Sequence, residues 1–312
     1  MKIGIVGWDA RTGIGTECWQ MLPLADVWFA PPHSGFPPLP AHPKKKYPFR
    51  KDDLAECDVL LNFERIFNPD LLDRVRHIMV VHHEWFVPSY LDEKVTLVSP
   101  TEYCQKKLDL VGVDSRLVRW GVEAMPNTTP KQFCREFLHV AGGMGYRNRK
   151  GSDLVARASR LKPEVPLFAI AQTPAIYNVG FCRTSHVISW SFSDAREPYE
   201  RFGDVAIQPS RVEGIGMSLL ECQAAGIPLM LPAHAMYDEF PAIRRIPCEE
   251  INIEYPHGDV LGCECDPEEM AESMADIYGR KIEAHSVEAM ETIARDWNIE
   301  RTREELAAII RE

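Results

Sequence analysis

The sequence holds no uncharged apolar run of about 18 residues or more, so nothing in it reads as a helix that crosses a bilayer. Its opening, MKIGIVGWDARTG, offers one lysine and a short apolar run ending at Trp8 and Asp9, too little for the core of a secretion signal. Regularly spaced cysteine pairs are missing too. Nine cysteines, an odd number, are scattered over 312 residues, which argues against a disulfide framework and for a reduced, cytoplasmic chain. There is no Asp-x-Asp, no H-E-x-x-H and no other complete ligand set, so no metal is expected. Internal repeats and low-complexity tracts are likewise absent.

Positive charge is in short supply. The chain carries 35 Lys+Arg against 46 Asp+Glu, a net charge of -11. Residues 1 to 130 balance at -2 (15 against 17) and residues 131 to 312 at -9 (20 against 29). Such acidity argues against a general electrostatic grip on nucleic acid, which needs basic surface. One basic patch stands apart: Lys44, Lys45, Lys46, Arg50 and Lys51, with Tyr47 and Phe49 between them.

What is present is a rhythm of short apolar runs. Lys2 to Trp8, Asp26 to Ala30, Asp58 to Phe63, His77 to His82 and Thr96 to Ser99 have strand length and are rich in Val and Ile, as strands buried on both faces of a parallel sheet require. Helical spacing separates several of them, over Thr16 to Leu22, Pro69 to Arg76 and Thr101 to Leu110. The proline-dense stretch Pro31 to Pro48 cannot be regular helix or central strand and reads as a long surface loop. The rhythm restarts with Phe137 to Ala141, a Gly-rich basic loop, Ser152 as a helix N-cap, and further strands at Pro166 to Ala171, His186 to Trp190, Asp204 to Gln208 and Ile227 to Leu231.

The fold class is therefore α/β: two Rossmann-like domains, facing each other, with the ligand cleft between them at the carboxyl ends of the strands. The first covers 1–128, the second 129–296, joined by a Pro/Asn/Thr linker within 124–132. The amphipathic C-terminal segment, with Ile299, Leu306 and Ile310 toward one face, supplies a helix over 297–312 that packs back on the first domain. Cys263-x-Cys265 reads as reduced structural thiols in a turn.

Residues 208 to 232, QPSRVEGIGMSLLECQAAGIPLMLP, carry the chemistry. The segment leaves a strand end, passes Glu213, Gly214 and Gly216, and enters a helix whose Met217, Leu220 and Ala224 share an apolar face that Glu221 avoids. Glycine lets the backbone approach a ligand, and the N–H groups of Gly216, Met217 and Ser218 at a helix N-terminus form an anion site. Two carboxylates around an amide nest suit a ligand with hydroxyls on both sides of a phosphate, a nucleotide sugar.

This order of Pro-Ser, Glu-Gly-x-Gly, a second Glu after seven residues and Ala-x-Gly-x-Pro resembles the Glu-x7-Glu signature of the retaining family-4 glycosyltransferases of GT-B fold. The resemblance implies that Glu213 contacts the donor sugar and Glu221 the ribose. FLHVAGGMGYRNRKGSDLVARA is similar to the family's diphosphate-binding strand and loop, which puts Lys150 on the diphosphate with Arg147 or Arg149 as its partner. The turn holding Gly13 and Gly15 resembles the family's Gly-rich turn at the donor phosphate. As a dinucleotide fingerprint it lacks the third glycine, so a Rossmann dehydrogenase is weakly supported. His83, followed by Glu84 and Trp85, matches the family's histidine beside the donor sugar.

The implied activity is retaining, metal-independent transfer of a hexose of glucose type from a nucleoside diphosphate sugar such as UDP-glucose to an acceptor hydroxyl. That co-substrate is the only small molecule required, and no cofactor is expected. On the acceptor side, Lys44, Lys45, Lys46, Tyr47, Glu84 and Trp85 leave open an anionic acceptor: DNA with hydroxymethylated bases, or a lipid headgroup with peripheral association at a membrane surface. A GT-B epimerase of the nucleotide sugar, or a non-catalytic sugar-nucleotide-binding module, is the reading from another class.

Overall fold

The computed structural model describes residues 1–312 apart from 11, 33–37, 87–92, 126–127, 144–147, 190–196 and 256–257. The chain divides into two compact units, Met1–Trp120 with Ile299–Glu312, and Gly121–Asn298. The segment expected as a linker belongs to the second. There Lys131 N donates to Ser286 Oγ at 2.8 Å and Ile282 N to Gln132 O at 3.0 Å.

Unit 1 is built on a seven-stranded sheet: β1 (Ile3–Val6), β2 (Val27–Phe29), β3 (Lys45–Lys46), β4 (Val59–Phe63), β5 (Arg76–Val80), β6 (Val95–Ser99) and β7 (Arg116–Leu117). All neighbours pair parallel in the order β3-β2-β1-β4-β5-β6-β7. The central strands are mainly apolar because both faces are covered; every residue of β4 is buried, Asn62 included. Helices α1 (Gly13–Gln20), α2 (Lys51–Ala55) and α3 (Glu102–Leu110) lie in the connections. Val6, Phe29, Leu54, Leu60, Leu71 and Val75 form one core cluster. Met79, Val81, Leu97, Cys104 and Leu108 form another.

Unit 2 repeats the plan with β8 (Phe137–Gly142), β9 (Leu167–Ala171), β10 (His186–Ser189), β11 (Val205–Ile207), β12 (Leu229–Pro232) and β13 (Arg244–Ile246), parallel in the order β10-β9-β8-β11-β12-β13. Its helices are α4 (Ser152–Leu161), α5 (Glu197–Arg201), α6 (Met217–Ala224), α7 (Pro267–Ile277) and α8 (Glu283–Asp296). An antiparallel hairpin, β14 (Cys248–Tyr255) and β15 (Gly258–Cys265), is added before α7. The last helix, α9 (Ile299–Arg311), is part of unit 1. Ile299, Leu306 and Ile310 are buried there, Thr302 Oγ1 donates to Arg119 O at 2.8 Å, and the Arg76 guanidinium donates to the carbonyls of Ile309 and Ile310.

Four local expectations are corrected. The helix expected over Pro69 to Arg76 is a single 3-10 turn, Pro69–Leu71, because the chain must enter β5 at Arg76. Within the expected loop Pro31 to Pro48, Lys45 and Lys46 form an edge strand; Trp28 N donates to Lys44 O at 2.7 Å, and an edge needs bonds on one side only. Cys263 and Cys265 lie on β15 rather than in a turn. The cap of α4 is Gly151, in the left-handed region at φ 66°, while Ser152 turns its hydroxyl to His139 Nε2 at 2.8 Å.

In both sheets the strand order reverses beside the first strand of the unit, between β1 and β4 and between β8 and β11. Ligands of doubly wound sheets bind at the carboxyl ends of strands at such a point.

Candidate active site

In unit 2 two loops leave the switch point, one after β8 and one after β11. They touch at Gly151, where an added Cβ would stand 2.3 Å from Pro209 O, so only glycine lets the loops meet this closely. The contact brings the Lys150 ammonium onto Glu213 Oε1, with both side chains largely buried. Burial alone would raise the Glu213 carboxyl. The charges of Lys150 and Arg149, and the hydrogen bond from Lys150, outweigh it and hold the group below its ordinary range. The backbone is pinned as well: Glu213 N donates to Met236 Sδ at 3.0 Å and Tyr237 Oη to Ser210 O at 2.5 Å. Behind the loops His139 joins Ser152 Oγ to Ile207 O, and burial pushes its pKa down to about 4, leaving a neutral ring that ties β8 to β11 and α4.

Gly216 caps α6 at φ 78°, a conformation that favours glycine, and the chain then turns into Met217 and Ser218. The first N–H groups of a helix have no acceptor within it. Ser218 Oγ is buried and has no hydrogen-bond partner in the protein, which fits a site waiting for an acceptor oxygen. One turn on, Glu221 Oε2 accepts from the Tyr199 hydroxyl at 2.5 Å. Burial raises the Glu221 carboxyl to about 7, against the pull of Tyr199 and of the Lys150 charge. The structure thus brings Arg149, Lys150, Glu213, Gly216, Met217, Ser218 and Glu221 into one neighbourhood. Arg147 lies outside the described residues. The arrangement offers cations and N–H donors to an anion, and carboxylates that accept from hydroxyls.

Unit 1 differs at the corresponding place. Thr12 caps α1, its Oγ1 accepting from Gly15 N at 3.3 Å. A Cβ on Gly15 would meet Ala10 O at 1.8 Å, so this glycine serves the turn itself, whereas a Cβ on Gly13 would meet only Glu17 Oε1, at an ordinary 3.9 Å. His82, after β5, stands between two carboxylates, with Nε2 3.1 Å from Glu17 Oε2 and Nδ1 3.1 Å from Glu64 Oε1. Burial opposes its charge, but the two acids win and raise the imidazole well above its usual range. Glu17 is in turn raised by burial. Glu64, at the end of β4, has φ 63°, rare for a residue with a side chain.

His82 therefore joins this cluster and His83 does not. The His83 ring packs edge-on to Tyr103 with centroids 5.1 Å apart, and its Nδ1 lies 3.6 Å from Glu84 Oε2. Glu84 is buried and Trp85 half-buried. The lysines expected to meet an anionic acceptor are occupied internally. Lys44 donates to Leu22 O and Ala25 O at 2.9 and 2.7 Å, Lys45 pairs with Asp9 at 2.5 Å, and Lys46 pairs with Asp53 at 2.8 Å. Tyr47 is exposed. Among the described residues, no three His, Cys, Asp or Glu side chains are grouped to hold a metal ion, and no helix is long and apolar enough to cross a membrane. Sequence reasoning missed Glu17, Glu64, Tyr199 and Arg211, whose partners are all remote in the chain.

No protein-family model and no curated protein matches the chain. Solved structures do. HepE from Anabaena, in complex with UDP and glucose, superposes with a TM-score of 0.64 at 11% identity, over 99% of this chain and 99% of that one. WaaG, a glycosyltransferase involved in lipopolysaccharide biosynthesis, gives 0.61 at 14% identity, again over 99% of each chain. The GtfA/B complex gives 0.58 at 14% identity over 81% of this chain, which spans 56% of the length of that one. At such identities the likeness establishes architecture: two Rossmann-like domains of the GT-B fold.

Proposed function

We propose that the protein is a retaining glycosyltransferase that takes a hexose from a nucleoside diphosphate sugar and places it on an acceptor hydroxyl. The observation that carries this reading is the Lys150–Glu213 pair set beside the open first turn of α6 and Glu221, at the switch point of unit 2. Lys150 and Arg149 hold the diphosphate, helped by the N–H groups of Gly216 and Met217 and by Ser218 Oγ. Glu213 accepts from the sugar hydroxyls and Glu221 from the ribose. When the donor binds, phosphate oxygens compete for Lys150 and sugar hydroxyls for Glu213, so the pair keeps the empty site charge-balanced and preorganised. As the glycosidic bond breaks, negative charge grows on the departing diphosphate, and a fixed cation there stabilises the transition state more than the ground state. No metal is needed in this scheme. With no enzymic nucleophile assigned, the resemblance implies front-face substitution, the leaving phosphate taking the acceptor proton.

HepE, of the same fold, was solved with UDP and glucose, which supports a UDP-hexose donor here. Acceptor contacts are assigned to unit 1, with Glu84 and Trp85 among them, while the resemblance gives His83 the place beside the donor sugar. The internal pairing of Lys44, Lys45 and Lys46 gives no support to DNA or a lipid headgroup as acceptor. A thermal-shift screen over UDP-, GDP- and ADP-sugars should show one nucleotide raising the melting temperature by mass action. Incubation with that labelled donor and a panel of neutral sugars should then yield product with retained anomeric configuration. Stabilisation by none of them would overturn the reading, and conversion of the donor sugar without any acceptor would replace it with an epimerase.

A further inference from the structure

Arg211 lies two residues before Glu213, and its contacts reach the Lys150 loop, the first turn of α4 and the hairpin. Its guanidinium takes both oxygens of Asp153 in a fork, Nη1 to Oδ1 and Nη2 to Oδ2, each at 2.9 Å. Nη1 also donates to Asn148 O at 3.0 Å, and Nε donates to Glu264 Oε2 on β15 at 2.8 Å. The main chain adds two ties: Arg211 N donates to Arg149 O at 2.7 Å, and Cys263 N donates to Arg211 O at 2.9 Å. Gly262 permits that approach, since a Cβ there would stand 2.4 Å from Arg211 O. One side chain thus spans the start of the Lys150 loop at Asn148, the helix that ends it at Asp153, and the hairpin, while its own backbone leads directly to Glu213. The loop it braces needs bracing, because Asn148 at φ 57° and Gly151 at φ 66° both hold left-handed conformations.

We infer that Arg211 is a positioning residue for donor binding: it sets the Lys150 ammonium and the Glu213 carboxylate in register with each other without touching the ligand itself. The inference rests on the donor-binding reading above. Lysine cannot replace it, because a single ammonium cannot fork onto Asp153 and reach Glu264 at once.

The test uses the full chain and whichever of UDP, GDP and ADP binds the wild type tightest by calorimetry. Arg211→Lys should weaken that affinity about tenfold, and Asp153→Asn should reproduce the loss. In a Lys150→Ala background Arg211→Lys should add less than about twofold, whereas in a Glu221→Ala background the full loss should persist, because the clamp acts on the nucleotide through Lys150 and not through Glu221. An unchanged affinity, or a loss fully additive with Lys150→Ala, would show Arg211 to be structural only and overturn the inference. If the wild type binds none of the three nucleotides, it is the donor reading that fails. The clamp is then read by hydrogen exchange. Arg211→Lys should speed exchange at the Lys150, Gly151 and Val212 amides together, and unchanged exchange there refutes it.

Discussion

At the carboxyl ends of β1, β4 and β5, Glu17, His82 and Glu64 answer one another's charges, whereas beside β8 and β11 the Lys150–Glu213 pair stands next to an unpartnered hydroxyl and an open helix turn. Both clusters occupy the same topological position in parallel sheets of nearly identical strand order. The difference comes from loop chemistry. Unit 2 places glycines at 151 and 216, which let its two loops close on each other and turn the chain into α6, while the switch point of unit 1 carries two acids closed around His82. One cluster is closed on itself, and the other leaves Ser218 Oγ without a partner.

Variants should separate the two. His82→Ala leaves Glu17 and Glu64 facing each other without their cation, so unit 1 should lose about 3–5 kcal/mol. Denaturant melts should show that loss while nucleotide affinity, which the proposed function gives to unit 2, stays at the wild-type value; a parallel loss of affinity would break the comparison. Glu213→Gln keeps the shape of the donor site but not its charge, and transfer measured in single turnovers should fall about 10²–10³-fold with an unchanged circular dichroism spectrum. Full activity in that variant sinks the assignment. Gly151→Ala forces a Cβ toward Pro209 O in a left-handed conformation and should cost about 1–3 kcal/mol in unit 2 together with nucleotide affinity.

Acid and alkali should act on opposite side-chain clusters, that of Glu213 and that of His82. His82 titrates higher in the folded state than its ordinary value of about 6.5, so its contribution is complete below that pH and fades as pH rises through the folded value. Glu17, also raised, has the same sign. Glu213 is lowered, so its contribution is complete above about 4.5 and is lost as pH falls through the folded value. Amide exchange followed from acid to alkaline pH should show the Glu213 loop loosening at the acid end and the segments around His82 and Glu17 at the alkaline end; the same pH dependence at both would contradict the assignment. The smallest effect belongs to Lys46→Ala, whose pair with Asp53 is solvated: melting temperature and transfer rate should match wild type at every salt concentration.

The parallel strands were legible because double burial writes itself as unbroken Val, Ile and Leu. The spacing of Glu213 and Glu221 and the Lys150-Gly151 step were legible because they are local. His82 and Arg211 were not. The acids around His82 come from positions 17 and 64, and the partners of Arg211 from 153 and 264, and no window of sequence contains those contacts. The hairpin left a trace in the alternation of Ile251, Ile253 and Tyr255 with the polar Asn252 and Glu254. The lysines at 44 to 46 read as a free patch because sequence shows charge and not its partners; Asp9 and Asp53 sit on other elements.

The interrupted course of unit 1 bears on how the protein is made. Its sheet is complete once Trp120 has been synthesised, yet α9 starts only at Ile299, after the whole of unit 2. At ribosomal speeds of about 5–20 residues per second, the interval is on the order of 10–30 s. Through that time Arg76 and Gln20 lack the helix they bond to in the finished fold, and the surface that covers Leu306 and Ile310 stays bare. The half whose synthesis begins first is therefore the half whose last element is made last.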